Sequence, residues 1–159
     1  MFAVRRIALP PDALLQSKRA AGAFTDCYML RIERSVTLAD SIAAFFTTPV
    51  FRLERWIIAR VLGKASTDAE ARALADGQSD RFLVWVTEAR SELQILLGVG
   101  RTATWLKVEP AGAATVLYLG SAIAQPESAR RGWRHRALLR FHDVYSRLLL
   151  WATALRLAR

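Results

Sequence analysis

Hydrophobic positions recur along this chain with two periods, and the changes of period divide it. Tyr28, Leu30 and Ile32 alternate with Met29, Arg31 and Glu33, the pattern of a half-buried strand. Beyond Arg34 the period lengthens. Thr37 followed three residues later by Asp40 predicts a capping box, with Leu38, Ile42 and Phe45 on one face of the helix it opens. Pro49 after Thr48 predicts a second start, because the missing N–H costs nothing at the first helical position. Val50, Leu53, Ile57 and Val61 follow at helical spacing, with Trp56 beside them and Gly63 at the end. Thr67 with Glu70 repeats the cap signature for a short helix that Gly77 closes.

The middle of the chain returns to period two. Residues 81–90, 93–99, 102–109 and 115–124 read as four more strands, about five in all, and their short links predict an antiparallel meander. Phe82, Val84, Val86, Leu93, Ile95, Leu97, Leu106, Val108, Leu117 and Leu119 fall on one face, an aliphatic set suited to a core. Leu83, Trp85, Gln94, Leu96, Trp105, Lys107, Tyr118 and Ala122 fall on the other, which is too apolar for a face left in water. Helices or a second subunit, as in a homodimer, are expected to cover it; a ligand cavity is the sharper alternative, and the two can coexist. Gly132 then releases a last helix, with Ala137, Phe141, Tyr145, Leu148, Ala152 and Leu155 as its apolar stripe and Arg136, Arg140, Asp143 and Arg147 opposite. Before the first strand, Pro10 and Pro11 end an arm, and Asp12 to Ala21 carries a weak helical pattern closed by Gly22.

Composition narrows the chemistry. The 159 residues fit one domain, and 53% hydrophobic content supports a buried core. The lone Cys27 excludes an internal disulfide, and with only His135 and His142 beside it no structural zinc set is expected. No apolar stretch of signal length precedes Pro10, and the apolar run at 148–155 is far too short to span a bilayer, so a cytoplasmic protein is expected. Gly98 and Gly100 make no phosphate-binding fingerprint, so nucleotide cofactors are not expected, nor any other cofactor.

The run Gly100-Arg101-Thr102-Ala103-Thr104-Trp105-Leu106-Lys107-Val108, together with Trp133 to Tyr145 and its Phe141-His142 pair, resembles a bacterial domain-of-unknown-function family of the START-like, helix-grip (SRPBCC) superfamily. The order of strand, helical insertion, antiparallel strands and long final helix is similar to a helix grip over most of residues 24–157, leaving 1–23 as an arm with a short helix. Five strands are fewer than the fuller members carry, which implies a smaller sheet and cavity. The resemblance implies an α+β fold that holds an apolar or amphipathic molecule between sheet and last helix. On that basis Trp85, Trp105 and Tyr118, with His142 and Tyr145 from the helix, are the candidate ligand-binding residues; indole and phenol rings supply apolar area and one polar tip each.

Two other function classes remain open. A START-like cyclase or hydrolase would use His142, near Tyr145 and Ser146 by helical spacing, although a histidine at the edge of an apolar stripe is more often a boundary residue. Cys27 reads as a buried structural thiol. A peripheral membrane or protein-interaction module, using the basic C-terminal helix and the apolar sheet face, is suggested by charge. The formal charge is +9, and residues 130–159 hold eight arginines against one acid, Asp143. Arg136, Arg140 and Arg147, with Trp133 and Trp151 near the apolar border, suit weak contact with an anionic membrane. Nucleic acid is disfavoured, since recognition motifs and an aromatic, basic strand surface are missing. Arginine exceeds lysine 20 to 3, so part of the charge reflects residue usage on solvated faces.

Overall fold

The two capping boxes form as the sequence predicts. In the computed structural model, which describes residues 3–124 and 133–159 and only the backbone of 133–135, Thr37 Oγ1 accepts the Asp40 N–H at 3.1 Å while Asp40 Oδ2 accepts the Thr37 N–H at 3.3 Å. Thr67 and Glu70 repeat the exchange at 3.2 and 2.6 Å. Thr48 accepts the Phe51 N–H at 3.1 Å ahead of Pro49, and Gly63, at φ 66°, ends that helix in the left-handed region that glycine occupies without steric cost. Gly132 lies outside the described residues.

The chain is α+β. Its elements are β1 (Arg5–Arg6), α1 (Gln16–Ala20), β2 (Phe24–Ile32), α2 (Leu38–Phe46), α3 (Pro49–Leu62), α4 (Asp68–Ala75), β3 (Arg81–Phe82), β4 (Trp85–Arg90), β5 (Gln94–Val99), β6 (Thr102–Ala111), β7 (Ala114–Ile123) and α5 (Trp133–Leu157). Among the described residues seven strands pair antiparallel in one open sheet, ordered β1-β2-β7-β6-β5-β4-β3.

Seven strands replace the five expected, for two reasons. The arm adds Arg5–Arg6 against Tyr28–Met29. The run 81–90 is a hairpin, not one strand: Phe82 pairs with Trp85 around Leu83, which sits at φ 54°. Residues directly opposite in a ladder share a face, so Trp85 joins Phe82 instead of alternating with it. An irregularity between Thr87 and Ala89 shifts the register again.

The two sheet faces carry separate cores. On the helix side, Tyr28, Leu30, Ile32, Ile95, Leu97, Leu106, Val108, Leu117 and Leu119 pack with Phe82, Trp85, the α2 and α4 apolar residues, and Leu149, Leu150 and Ala154 of α5. Leu93 and Val86, expected in this set, are exposed. On the other side, Leu96, Ala103, Trp105, Tyr118, Ala122 and Cys27 are covered by the chain's own arm, with Ala13 and Leu15 buried and Ile7, Leu9 and Leu14 against them. The apolar second face therefore belongs to an internal core.

In the two longest helices the regular apolar row faces outward. Phe51 and Arg55 are the buried residues of α3, whereas Leu53, Trp56, Ile57 and Val61 are exposed. In α5 the packed row is Ser146, Leu149, Leu150, Thr153 and Ala154, and Phe141 and Leu148 of the expected stripe point to solvent. Ser146, Thr153 and Ala154 are small enough to let the helix approach the sheet, and Thr153 donates its hydroxyl to Leu149 O at 2.8 Å, so its burial leaves no unpaired donor.

Candidate functional site: a cavity between the sheet and the last helix

The antiparallel pairing of β6 with β7 sets Thr104 opposite Ser121 and Thr102 opposite Ile123 on the helix side. The short Thr102, Thr104 and Ser121 side chains at the strand ends leave space that α5, α2 and α3 roof over. The result is a cavity of about 230 Å³, walled by Phe45, Phe51, Trp85, Val99, Leu119 and Leu149 and edged by Glu54, Thr104, Ser121, His142, Tyr145 and Ser146. A larger groove of about 500 Å³ lies near the C-terminal end of α5, lined by Arg34, Asp40, Asp68, Arg72 and Arg156 among others. Its acids are already paired, Asp40 with Arg72 at 3.6 Å and Asp68 with Arg55 at 2.7 Å, so the apolar cavity is the stronger candidate.

Two polar pairs mark the cavity. Tyr145 donates its hydroxyl to Glu54 Oε2, joining α5 to α3. Burial pushes the Glu54 carboxyl above its ordinary range, opposed by the Tyr145 hydrogen bond, and burial with the Glu54 contact pushes the Tyr145 phenol well above its usual value. The second pair is His142 Nε2 with Asp26 Oδ2, at 3.1 Å. Asp26 is buried on β2, and its Oδ1 accepts the Ser121 N–H at 3.0 Å. Next to it, Tyr28 donates to Asp143 Oδ1 at 2.7 Å.

Ser146 Oγ lies 3.5 Å from the same Nε2 that faces Asp26. A hydrolytic relay needs carboxylate and hydroxyl on opposite ring nitrogens, so Asp26, His142 and Ser146 do not form one. The arrangement instead fixes the imidazole at the cavity edge. Cys27 is buried on the arm side, and desolvation raises its thiol to about 12. Among the described residues no group of three His, Cys, Asp or Glu side chains converges as a metal site.

Of the candidate ligand residues, Trp85, His142 and Tyr145 line the cavity. Trp105 and Tyr118 do not: they stand on the opposite face, where Trp105 is fully buried, its Nε1–H bonded to Gln94 Oε1 at 2.8 Å, and Tyr118 donates to Glu109 Oε2 at 3.2 Å. Their odd and even partners in the ladder decide this, since Trp105 pairs with Gly120 and Tyr118 with Lys107, all on the arm side. Of the candidate surface arginines, Arg136 and Arg140 are exposed. Arg147 is half-buried: it binds Asp143 Oδ2 at 2.8 Å, donates to Val4 O at 3.3 Å and lies 5.3 Å from the Tyr28 ring. The side chain of Trp133 lies outside the described residues. Sequence reasoning missed Asp26 and Glu54, because their partners come from α5, more than ninety residues away.

No helix of the described residues is long and apolar enough to cross a membrane. No protein-family model matches the chain, and no curated protein or solved structure matches it significantly.

Proposed function

We propose that this protein is a noncatalytic binding domain of the helix-grip type, holding an apolar or amphipathic small molecule between its sheet and α5. The observation that carries the reading is the cavity itself, apolar on its walls and edged by the Glu54–Tyr145 pair and by His142, whose imidazole Asp26 holds from behind. A few convergent polar groups in an apolar pocket is the usual construction of a small-molecule site. Support for the helix-grip type comes from the order of elements: a first long strand, three helices, an antiparallel meander that returns beside that strand, and a final long helix.

The cavity size narrows the guest. About 230 Å³ is below the roughly 300–1,000 Å³ of sites for drug-sized ligands, so it suits a single ring or one short acyl chain with a polar head at His142 or Tyr145. Native mass spectrometry of protein purified without added ligand tests for a retained molecule. Tryptophan fluorescence titration with fatty acids of increasing chain length and with single-ring aromatics then tests affinity. The expected result is saturable binding of the shorter members, abolished by Leu119→Trp, which fills the cavity. No retained molecule together with no response to any member of the panel overturns the proposal.

A further inference from the structure

The outward faces of α3 and α5 pose a problem that the cavity does not answer. Leu53, Trp56, Ile57 and Val61 on α3 and Leu138, Phe141, Val144, Leu148 and Trp151 on α5 are all exposed, with Phe141 and Val144 at 68% and 64%. Large apolar residues scattered singly on a surface need no explanation, but two helix-long rows do. The rows meet where the helices touch. Tyr145 of α5 bonds Glu54, the neighbour of Leu53, and Phe141 stacks on Tyr145 with ring centroids 6.0 Å apart.

Charge decides what covers this face. Arg60 and Lys64 on and after α3, and Arg136 and Arg140 on α5, are exposed around it, Arg60 lies 5.2 Å from the Trp56 ring, and Arg52 is paired with Asp68. The acids of the two helices are both engaged: Glu54 accepts from Tyr145, and Asp143 is held by Arg147 and Tyr28. A second copy docked through the same face would set one cationic rim against another. An isologous dimer is thus electrostatically opposed. The geometry points to an anionic lipid surface as the occupant: α3 and α5 lie in the interface, with their apolar rows in the acyl boundary and arginines at the headgroups.

This docking does not depend on the cavity being filled, and its test uses no small ligand. The full chain is cosedimented with phosphatidylcholine vesicles, with and without phosphatidylserine, at low and physiological salt. Binding is expected with phosphatidylserine, weakened by salt, with a blue shift of tryptophan emission. Arg136→Ala and Arg140→Ala should each weaken it about fivefold. Phe141→Ser should weaken it about tenfold or more. These side chains are exposed, so thermal melts should match the wild type. Failure to bind phosphatidylserine vesicles at low salt overturns the proposal. So does a stable dimer in sedimentation equilibrium that Phe141→Ser dissociates, which would make the face a contact between copies.

Discussion

Trp105 and Gln94 are tied across neighbouring strands, the indole Nε1–H donating to Gln94 Oε1 at 2.8 Å, and that same oxygen accepts the Leu14 N–H at 3.0 Å. Gln94 Nε2 in turn donates to Asp12 O at 3.1 Å, and Lys107 Nζ reaches Asp12 Oδ2 at 2.7 Å. One amide side chain thereby binds the N-terminal arm onto the sheet, and the arm completes a core instead of leaving a ligand face open.

Trp105→Ala should therefore cost stability and spare the cavity. A fully buried tryptophan lost from a packed core costs about 3–5 kcal/mol. Gly120→Ala should also destabilise, by about 1–3 kcal/mol, because the added Cβ would meet Trp105 Cε3 at 2.8 Å and the Asp26 backbone oxygen at 3.1 Å. Urea unfolding reads both, and a loss under about 1 kcal/mol for Trp105→Ala would contradict the core assignment.

Removing the Tyr145 hydroxyl should expose the cost of the carboxyl beside it. Tyr145→Phe leaves Glu54 without its donor, for a loss of about 1–3 kcal/mol at neutral pH. Glu54 has a raised native pKa, so the native state binds the extra proton and stability falls as pH rises through that pKa. The deficit of the Phe variant should accordingly shrink as pH is lowered toward the ordinary carboxyl value, and Glu54→Gln in the same chain should remove it at neutral pH. Unfolding curves across pH 4–8 measure this; a pH-independent deficit would refute it.

Asp68 should contribute in the opposite sense. Arg55, buried on α3, donates to its Oδ1 at 2.7 Å, and the Arg55 hydrogen bond is the leading reason the Asp68 carboxyl is held below its ordinary value. A depressed native pKa gives stability that is present above the unfolded value and lost as pH falls through the folded one. Asp68 is about half exposed, so solvent screening limits the effect of Asp68→Asn to about 1 kcal/mol at neutral pH. Melts at neutral and strongly acid pH should differ less for the variant than for the wild type.

Cys27 should behave as core. Desolvation keeps its thiol protonated, with a pKa of about 12, so a thiol-specific reagent should label it slowly in the native protein and rapidly in denaturant. Rapid stoichiometric labelling of the folded chain would show the arm to be open.

Much of this architecture was legible because its signals are local. The Thr37–Asp40 and Thr67–Glu70 exchanges close within three residues, and Pro49 and Gly63 act on their own backbone, so the helices were readable before any packing was known. Alternation likewise located the β2 and β5–β7 segments. It failed at 81–90, because a tight turn between Phe82 and Trp85 keeps both on one face, and a parity count cannot register a turn built on Leu83. Of the candidate site, His142, Tyr145 and Trp85 were found, whereas Asp26 and Glu54 carried no local signature.

The sequence by itself determined where α2 to α5, β2 and β5–β7 run, that the sheet is antiparallel, and that both of its faces must be covered. Only the tertiary structure decided what covers them. Two helices each offer more than one apolar row, and hydrophobicity alone favours the row with the largest side chains. Close approach to the sheet selects the row with Ser146, Thr153 and Ala154, because small residues with satisfied polar groups pack nearer than Phe141 or Leu148. That choice turns the larger residues outward to solvent and leaves the cavity above β6 and β7.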